Sequence, residues 1–177
     1  MAGATFGHIL ITGNLVAQLK QLLRDRDCTV HPGDLRVRVS ATGLYTYPEI
    51  VIACGQPQFV DDEFDTLLNP KVLIEVLSDS TEAYDRGAKA VMYRQLPSLQ
   101  EYVLVAQNEP LVECQTRQTD GNWLLKSVSS LNDQLVLNSL SLRIPVSEVY
   151  RQVEFPPAHL RAPYPQRALP RLSDSES

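Results

Sequence analysis

The sequence predicts an α/β (α+β) domain, a mixed β-sheet flanked by helices. Three observations carry this expectation. Residues 71–106 read as strand, helix, strand, with apolar runs at 72–77 and 101–106 around a helix-like segment. Such a crossover should be right-handed and leave its two strands parallel. Further on, two strand-like runs flank Thr119-Asp120-Gly121, the signature of an antiparallel hairpin. Near the start, a leucine-striped helix precedes a strand of alternating pattern. At 177 residues the chain can bury one real core, but not two comfortable ones.

In chain order, residues 13–26 form the first expected helix. Leu15, Leu19, Leu22 and Leu23 stripe one face, Asn14 is the cap, and Arg24 and Arg26 sit near the C-terminal end. His8 lies just upstream, in a turn or an earlier helical turn. After Cys28, His31-Pro32-Gly33-Asp34 reads as a turn. Leu35, Val37 and Val39 then alternate with Arg36, Arg38 and Ser40, as in a half-buried antiparallel strand. Residues 41–43 turn the chain, and Pro48 belongs at the edge or start of a strand. The second strand is Glu49–Cys54, and residues 55–69 are an acidic, solvated loop.

Ser78-Asp79-Ser80-Thr81 is rich in capping residues, and Glu82 and Asp85 suit the positive end of a helix dipole. Tyr84, Ala88, Val91 and Met92 stripe that helix, with Gly87 allowing close packing. Strands follow at 101–106, 111–117, 122–127, 133–137 and 140–144, and residues 146–150 make at most one helical turn. Five of the twelve prolines fall in 155–177, so the domain is expected to span 1–152, with 153–177 an extended or disordered tail.

Composition narrows the function. A net charge of −5 removes any global basic field for nucleic acid, though a local cationic cleft can sit on an acidic protein. Cys28, Cys54 and Cys114 are odd in number, without a CxxC pair, and read as reduced thiols of a cytoplasmic protein. No apolar run approaches the ~20 residues that span a bilayer, and the N-terminus lacks the basic region of a secretory signal. No HxxxH or HExxH supports zinc, no GxSxG elbow surrounds Ser78, and no glycine-rich phosphate loop is present.

Glu75 is the anomaly. It interrupts the apolar run Val72-Leu73-Ile74-Val76-Leu77, where an ionised carboxylate costs several kcal/mol unless a cation or donors meet it. Glu49 begins the preceding strand. If the two strands are neighbours, two carboxylates converge at one end of the sheet, repel, and raise one pKa. A divalent cation removes that conflict, and Mg²⁺ prefers such oxygen ligands. Lys89, on the following helix, can reach back over the strand end. A metal with a nearby lysine suits phosphodiester hydrolysis. The bland alternative stays open: Glu49 as an exposed strand start, and Glu75 in an ion pair with Lys89 or Arg86.

The blocks YPEIVIACG and VLIEVLSDSTEAYDRGAKAVMYRQLPSLQEYVLV, with the tryptophan-containing hairpin, resemble the Uma-type restriction-endonuclease family of the PD-(D/E)XK nuclease superfamily. The resemblance covers roughly residues 1–150. It implies a restriction-endonuclease-like fold and a Mg²⁺- or Mn²⁺-dependent endonuclease acting on DNA. Pro48-Glu49 matches the first motif, with Glu for the usual Asp, and Glu75 matches the second. Leu77 occupies the usual place of the third-motif lysine, which the resemblance moves to Lys89. It also puts His8 and Asp34 near the cleft, and Ser78 is a further lining candidate. Longer relatives carry an N-terminal segment with an additional acidic residue, and Met1-Ala2-Gly3 resembles an internal stretch of those chains. The expected form is a homodimer. The rival expectation is a catalytically silent nuclease-fold module binding DNA or a protein.

Overall fold

The computed structural model describes residues 5–60 and 65–157. The acidic residues Asp61, Asp62 and Glu63, and the tail beyond 157 with His159, lie outside the described residues.

Helix α1 (Phe6–Leu22) starts earlier than its leucine pattern predicts, because Thr5 caps it by accepting a hydrogen bond from the His8 amide. Its buried stripe is His8, Ile11, Leu15 and Leu19, with Leu23 following, while Leu22 is exposed. Asn14, expected as the cap, instead donates to the carbonyls of Val149 and Arg151, fastening α1 to the end of the fold.

Strands β1 (Cys28–Pro32), β2 (Arg36–Val39), β3 (Leu44–Thr46), β4 (Ile50–Cys54), β5 (Thr66–Leu67) and β6 (Val72–Leu77) come next. A continuous helical segment, α2, then spans residues 82–93. Its middle, Asp85–Lys89, widens into a π-helical turn between the α-helical turns Glu82–Tyr84 and Ala90–Tyr93. Strands β7 (Glu101–Ala106), β8 (Val112–Arg117), β9 (Trp123–Val128), β10 (Gln134–Leu137) and β11 (Leu142–Pro145) complete the sheets, and α3 (Val146–Val149) is the expected single turn.

The main sheet has the order β1-β4-β6-β7-β8-β9. Only β6 and β7 run parallel within it, as the crossover through α2 requires. One face packs against α1, β10, β11 and α3. The other is covered by α2 and by a small sheet of order β3-β2-β5. Because side chains alternate along a strand, Ile74 and Val76 join the first core, whereas Leu73 and Leu77 join the second. Glu75 shares the parity of Leu73 and Leu77, and so faces α2.

Three expectations are corrected. Cys28 and Cys54 are not reduced thiols but form a disulfide. Of the turn expected at residues 31–34, His31 and Pro32 belong instead to strand β1, and only Gly33 and Asp34 turn the chain. The antiparallel register of β1 with β4 sets Cys28 directly opposite Cys54, with Cα atoms 4.0 Å apart. Cys114 is free and buried, and burial pushes its thiol up to about 11. In α2, the residues Tyr84, Ala88 and Val91 are exposed rather than inward, and space opposite Gly87 is open. The inward face is Asp85, Lys89, Ala90 and Tyr93, because the buried carboxylate beneath it demands polar partners. No helix among the described residues is long and apolar enough to cross a membrane.

Candidate active site

Pairing of Ile50 with Ile74 between β4 and β6 continues by one residue to set Glu49 opposite Glu75. Residues on adjacent strands at such positions lie within reach of one another. The convergence inferred from sequence is therefore a cross-strand pair at one end of the sheet.

Glu75 is 4% exposed. Its Oε1 accepts from Lys89 Nζ at 2.7 Å and from the Tyr93 hydroxyl at 3.0 Å. Its Oε2 turns toward Glu49, accepting that residue's amide at 3.4 Å. Burial pushes the Glu75 carboxyl up to about 7, against the pull of Lys89 and Tyr93. Lys89 also contacts Asp85 Oδ1 at 2.9 Å, one helical turn back. Burial opposes the ammonium charge, yet Glu75 and then Asp85 outweigh it and hold the lysine above its ordinary range. The pair is thus ionised from about neutral pH upward.

Glu49 lies at the rim, its side chain about one third exposed, with Oε1 3.1 Å from His8 Nε2. That hydrogen bond holds the Glu49 carboxyl below its usual range despite partial burial, and Lys89 adds to the effect. His8 reaches it from the first turn of α1, around the sheet end. With its proton directed at Glu75, the Tyr93 hydroxyl accepts a 3.1 Å hydrogen bond from Thr46 on β3, and the ring packs edge-on against Tyr102 at 5.2 Å. Tyr102 in turn donates to the Asp85 carbonyl.

The structure therefore brings Glu49, Glu75, Lys89 and His8 together. Asp34 is exposed in the turn after β1 and makes no side-chain contact with this cluster among the described residues. Ser78 sits where the chain leaves β6, its hydroxyl bonded to those of Ser80 and Thr81 at the entrance to α2. Sequence reasoning missed Asp85 and Tyr93 as site residues. The signal was available: Asp85, Lys89 and Tyr93 recur every four residues, one face of a helix.

A rim carboxylate, Glu49, beside a buried one, Glu75, offers hard oxygen donors, and Mg²⁺ typically takes one or two carboxylates while keeping several waters. Among the described residues no group of three or more His, Cys, Asp or Glu side chains is arranged to hold a metal ion. A water-rich, two-carboxylate shell is the arrangement that these donors fit.

Comparison with known proteins gives the family and the fold. The family model Uma2, described as "putative restriction endonuclease", matches residues 1–147. The uncharacterized protein slr1290 of Synechocystis sp. is 33% identical over 155 residues, covering 88% of this chain and 80% of that protein. Its companion sll1609 is 30% identical over 142 residues, covering 80% of each. Among solved structures, a "putative nuclease belonging to DUF820" from Anabaena variabilis superposes with a TM-score of 0.68 over 84% of this chain and 83% of that one. At 14% identity that likeness speaks for the fold. The chain has a nuclease-type fold, and it belongs to the Uma2 family of restriction-endonuclease-like proteins.

Proposed function

We propose that this protein is a divalent-metal-dependent endonuclease that hydrolyses DNA phosphodiester bonds. The observation that carries this reading is the opposition of Glu49 and Glu75 across β4 and β6, with Lys89 on the far oxygen of Glu75. Glu49 and Glu75 would hold Mg²⁺ or Mn²⁺. Bound there, the ion would lower the pKa of a coordinated water and neutralise charge on the phosphate.

The chain's own residues do the rest. Tyr93 and Lys89 fix one oxygen of Glu75, leaving Oε2 directed at Glu49. His8 fixes one oxygen of Glu49 in the same way. The Lys89 ammonium has three N–H donors, of which Glu75 and Asp85 take two. The third orients the attacking water or meets charge developing on a phosphate oxygen. Asp85 keeps that donor charged and in place. Being preorganised, it costs little reorganisation when charge moves.

The test is cleavage of supercoiled plasmid, linear duplex and single-stranded DNA by the full chain with Mg²⁺ or Mn²⁺ against EDTA. Metal-dependent cleavage that disappears in Glu75→Ala is expected. Cleavage unchanged in that variant removes the site from the reaction. Mn²⁺ calorimetry decides against the silent-module alternative: a binding heat lost in Glu75→Ala supports a working metal site. The acting species is proposed to be a homodimer, checked by sedimentation at twice the chain mass.

A further inference from the structure

We infer that the outward face of the β2–β3 hairpin is a stacking platform for unpaired bases, so that the strand entering the site is single-stranded or locally unpaired DNA. This rests on the nuclease reading and adds to it the state of the substrate.

The hairpin has two unlike faces. Val37 and Val39 of β2 turn inward and are fully buried, while Arg36 and Arg38 turn outward. On β3, Thr46 turns inward to hydrogen-bond Tyr93, joining the hairpin to the Glu75 cluster. Tyr45, opposite Arg38 in the register, turns outward. The guanidinium carbons of Arg36 and Arg38 each lie 5.4 Å from the Tyr45 ring centre, so two cations sit beside a ring that stays about half exposed. Tyr45 is 48% exposed and Tyr47 59% exposed. Neither ring is used by the core, and both are held near arginines in the manner of a base-stacking surface.

Charge separates unpaired from paired substrate. Proteins that grip duplex through phosphates alone neutralise roughly 6–10 of them. This chain carries 16 Lys and Arg against 21 Asp and Glu. On the hairpin, Arg36 is already committed to both oxygens of Asp65 and to Thr66. Arg38 makes no ion pair among the described residues, and its Nε has no hydrogen-bond partner. One free guanidinium cannot hold a duplex, but stacking does not draw on net charge, and a duplex hides its base faces. Position agrees. Tyr47 is two residues before Glu49 and Tyr45 four, so chain length alone keeps their Cα atoms within about 7 and 14 Å of the Glu49 Cα. At about 3.4 Å per stacked nucleotide, that backbone separation corresponds to about two and four nucleotides.

The experiment measures fluorescence anisotropy of one oligonucleotide, single-stranded and as duplex, titrated with full-length protein in EDTA. The single strand should bind at least about tenfold more tightly, and Tyr45→Ala and Tyr47→Ala should each weaken it by about tenfold. Tyr45→Phe and Tyr47→Phe should retain affinity, since the ring does the work. Arg38→Gln should reduce the slope of log affinity against log salt by about 0.7. Equal or tighter duplex binding, or alanine variants that hold single strand like the wild type, overturns the platform. Wild-type cleavage with Mn²⁺, measured on the same strands, separates the two readings. Cleavage with unaltered alanine-variant affinity sinks the platform alone, whereas neither binding nor cleavage sinks the nuclease reading and the platform with it.

Discussion

Glu75 and Glu101 are buried carboxylates on neighbouring strands, 4% and 0% exposed, yet they are satisfied in opposite ways. Glu101 is closed on all sides by neutral donors. One oxygen takes the Asn138 amide at 2.7 Å and, more distantly, Thr116; the other takes the Ser139 hydroxyl at 2.6 Å and its amide at 3.3 Å. It pins the 3₁₀ turn Asn138–Leu140 beneath the sheet. Glu75 has a cation and a phenol on one oxygen and a single long contact on the other. A structural carboxylate uses up its lone pairs. One kept for a ligand leaves some unspent, here on the oxygen beside the Glu49 amide.

The largest effect that sharpens this contrast is on cleavage. Glu75→Ala should lower it at least about a thousandfold, ~4 kcal/mol of transition-state stabilisation. Its fold should survive, because Lys89 keeps Asp85. Glu101→Ala should do the reverse. It orphans two amides and a hydroxyl, costing about 4 kcal/mol in urea unfolding, while the folded variant still binds Mn²⁺. A folded Glu101→Ala protein that has lost Mn²⁺ affinity would break the division between the two residues.

The third effect is pH-dependent. In the native state Glu75 titrates at about 7, above its unfolded value near 4.5. Between those values the folded chain binds the extra proton, so metal-free stability is fullest below pH 4.5 and falls as pH rises through 7. The loss should approach the order of 3 kcal/mol. Glu75→Gln should flatten the profile between pH 5 and 8. A wild-type profile as flat as the variant's would mean that Glu75 is as well satisfied as Glu101.

Much of the frame was legible because it follows from local pattern. The parallel β6–β7 pair, the hairpin around Gly121 and the short C-terminal strands all came from apolar runs and turn residues. Glu75 stood out because a carboxylate in an apolar strand is costly wherever the strand ends up. What escaped were features set by tertiary demand. Strand β1 carries only Val30 as a clearly buried residue, so its pairing with β4, and the disulfide with it, left no periodic trace. The inward face of α2 was misread because, beside Ala90, its buried residues are Asp85 and Tyr93, polar partners of Lys89 and Glu75, while apolar Val91 faces water. A hydropathy pattern cannot reveal a helix whose buried face is partly ionic.

The Cys28–Cys54 bond also divides the site in covalent terms. Its ring, with a sequence separation of 26, contains the β2–β3 hairpin and Glu49, whereas Glu75, Asp85, Lys89 and Tyr93 lie outside it. In the unfolded chain, closing a ring of that length removes conformational freedom worth about 3–4 kcal/mol, all of it from one half of the centre. The rim carboxylate and the hairpin before it are thus tethered as one loop even before folding. The buried cation and its partners are held by ion pairs, hydrogen bonds and packing, with no covalent tie. Chemical reduction would therefore act first on the half that carries Glu49 and the β2–β3 hairpin.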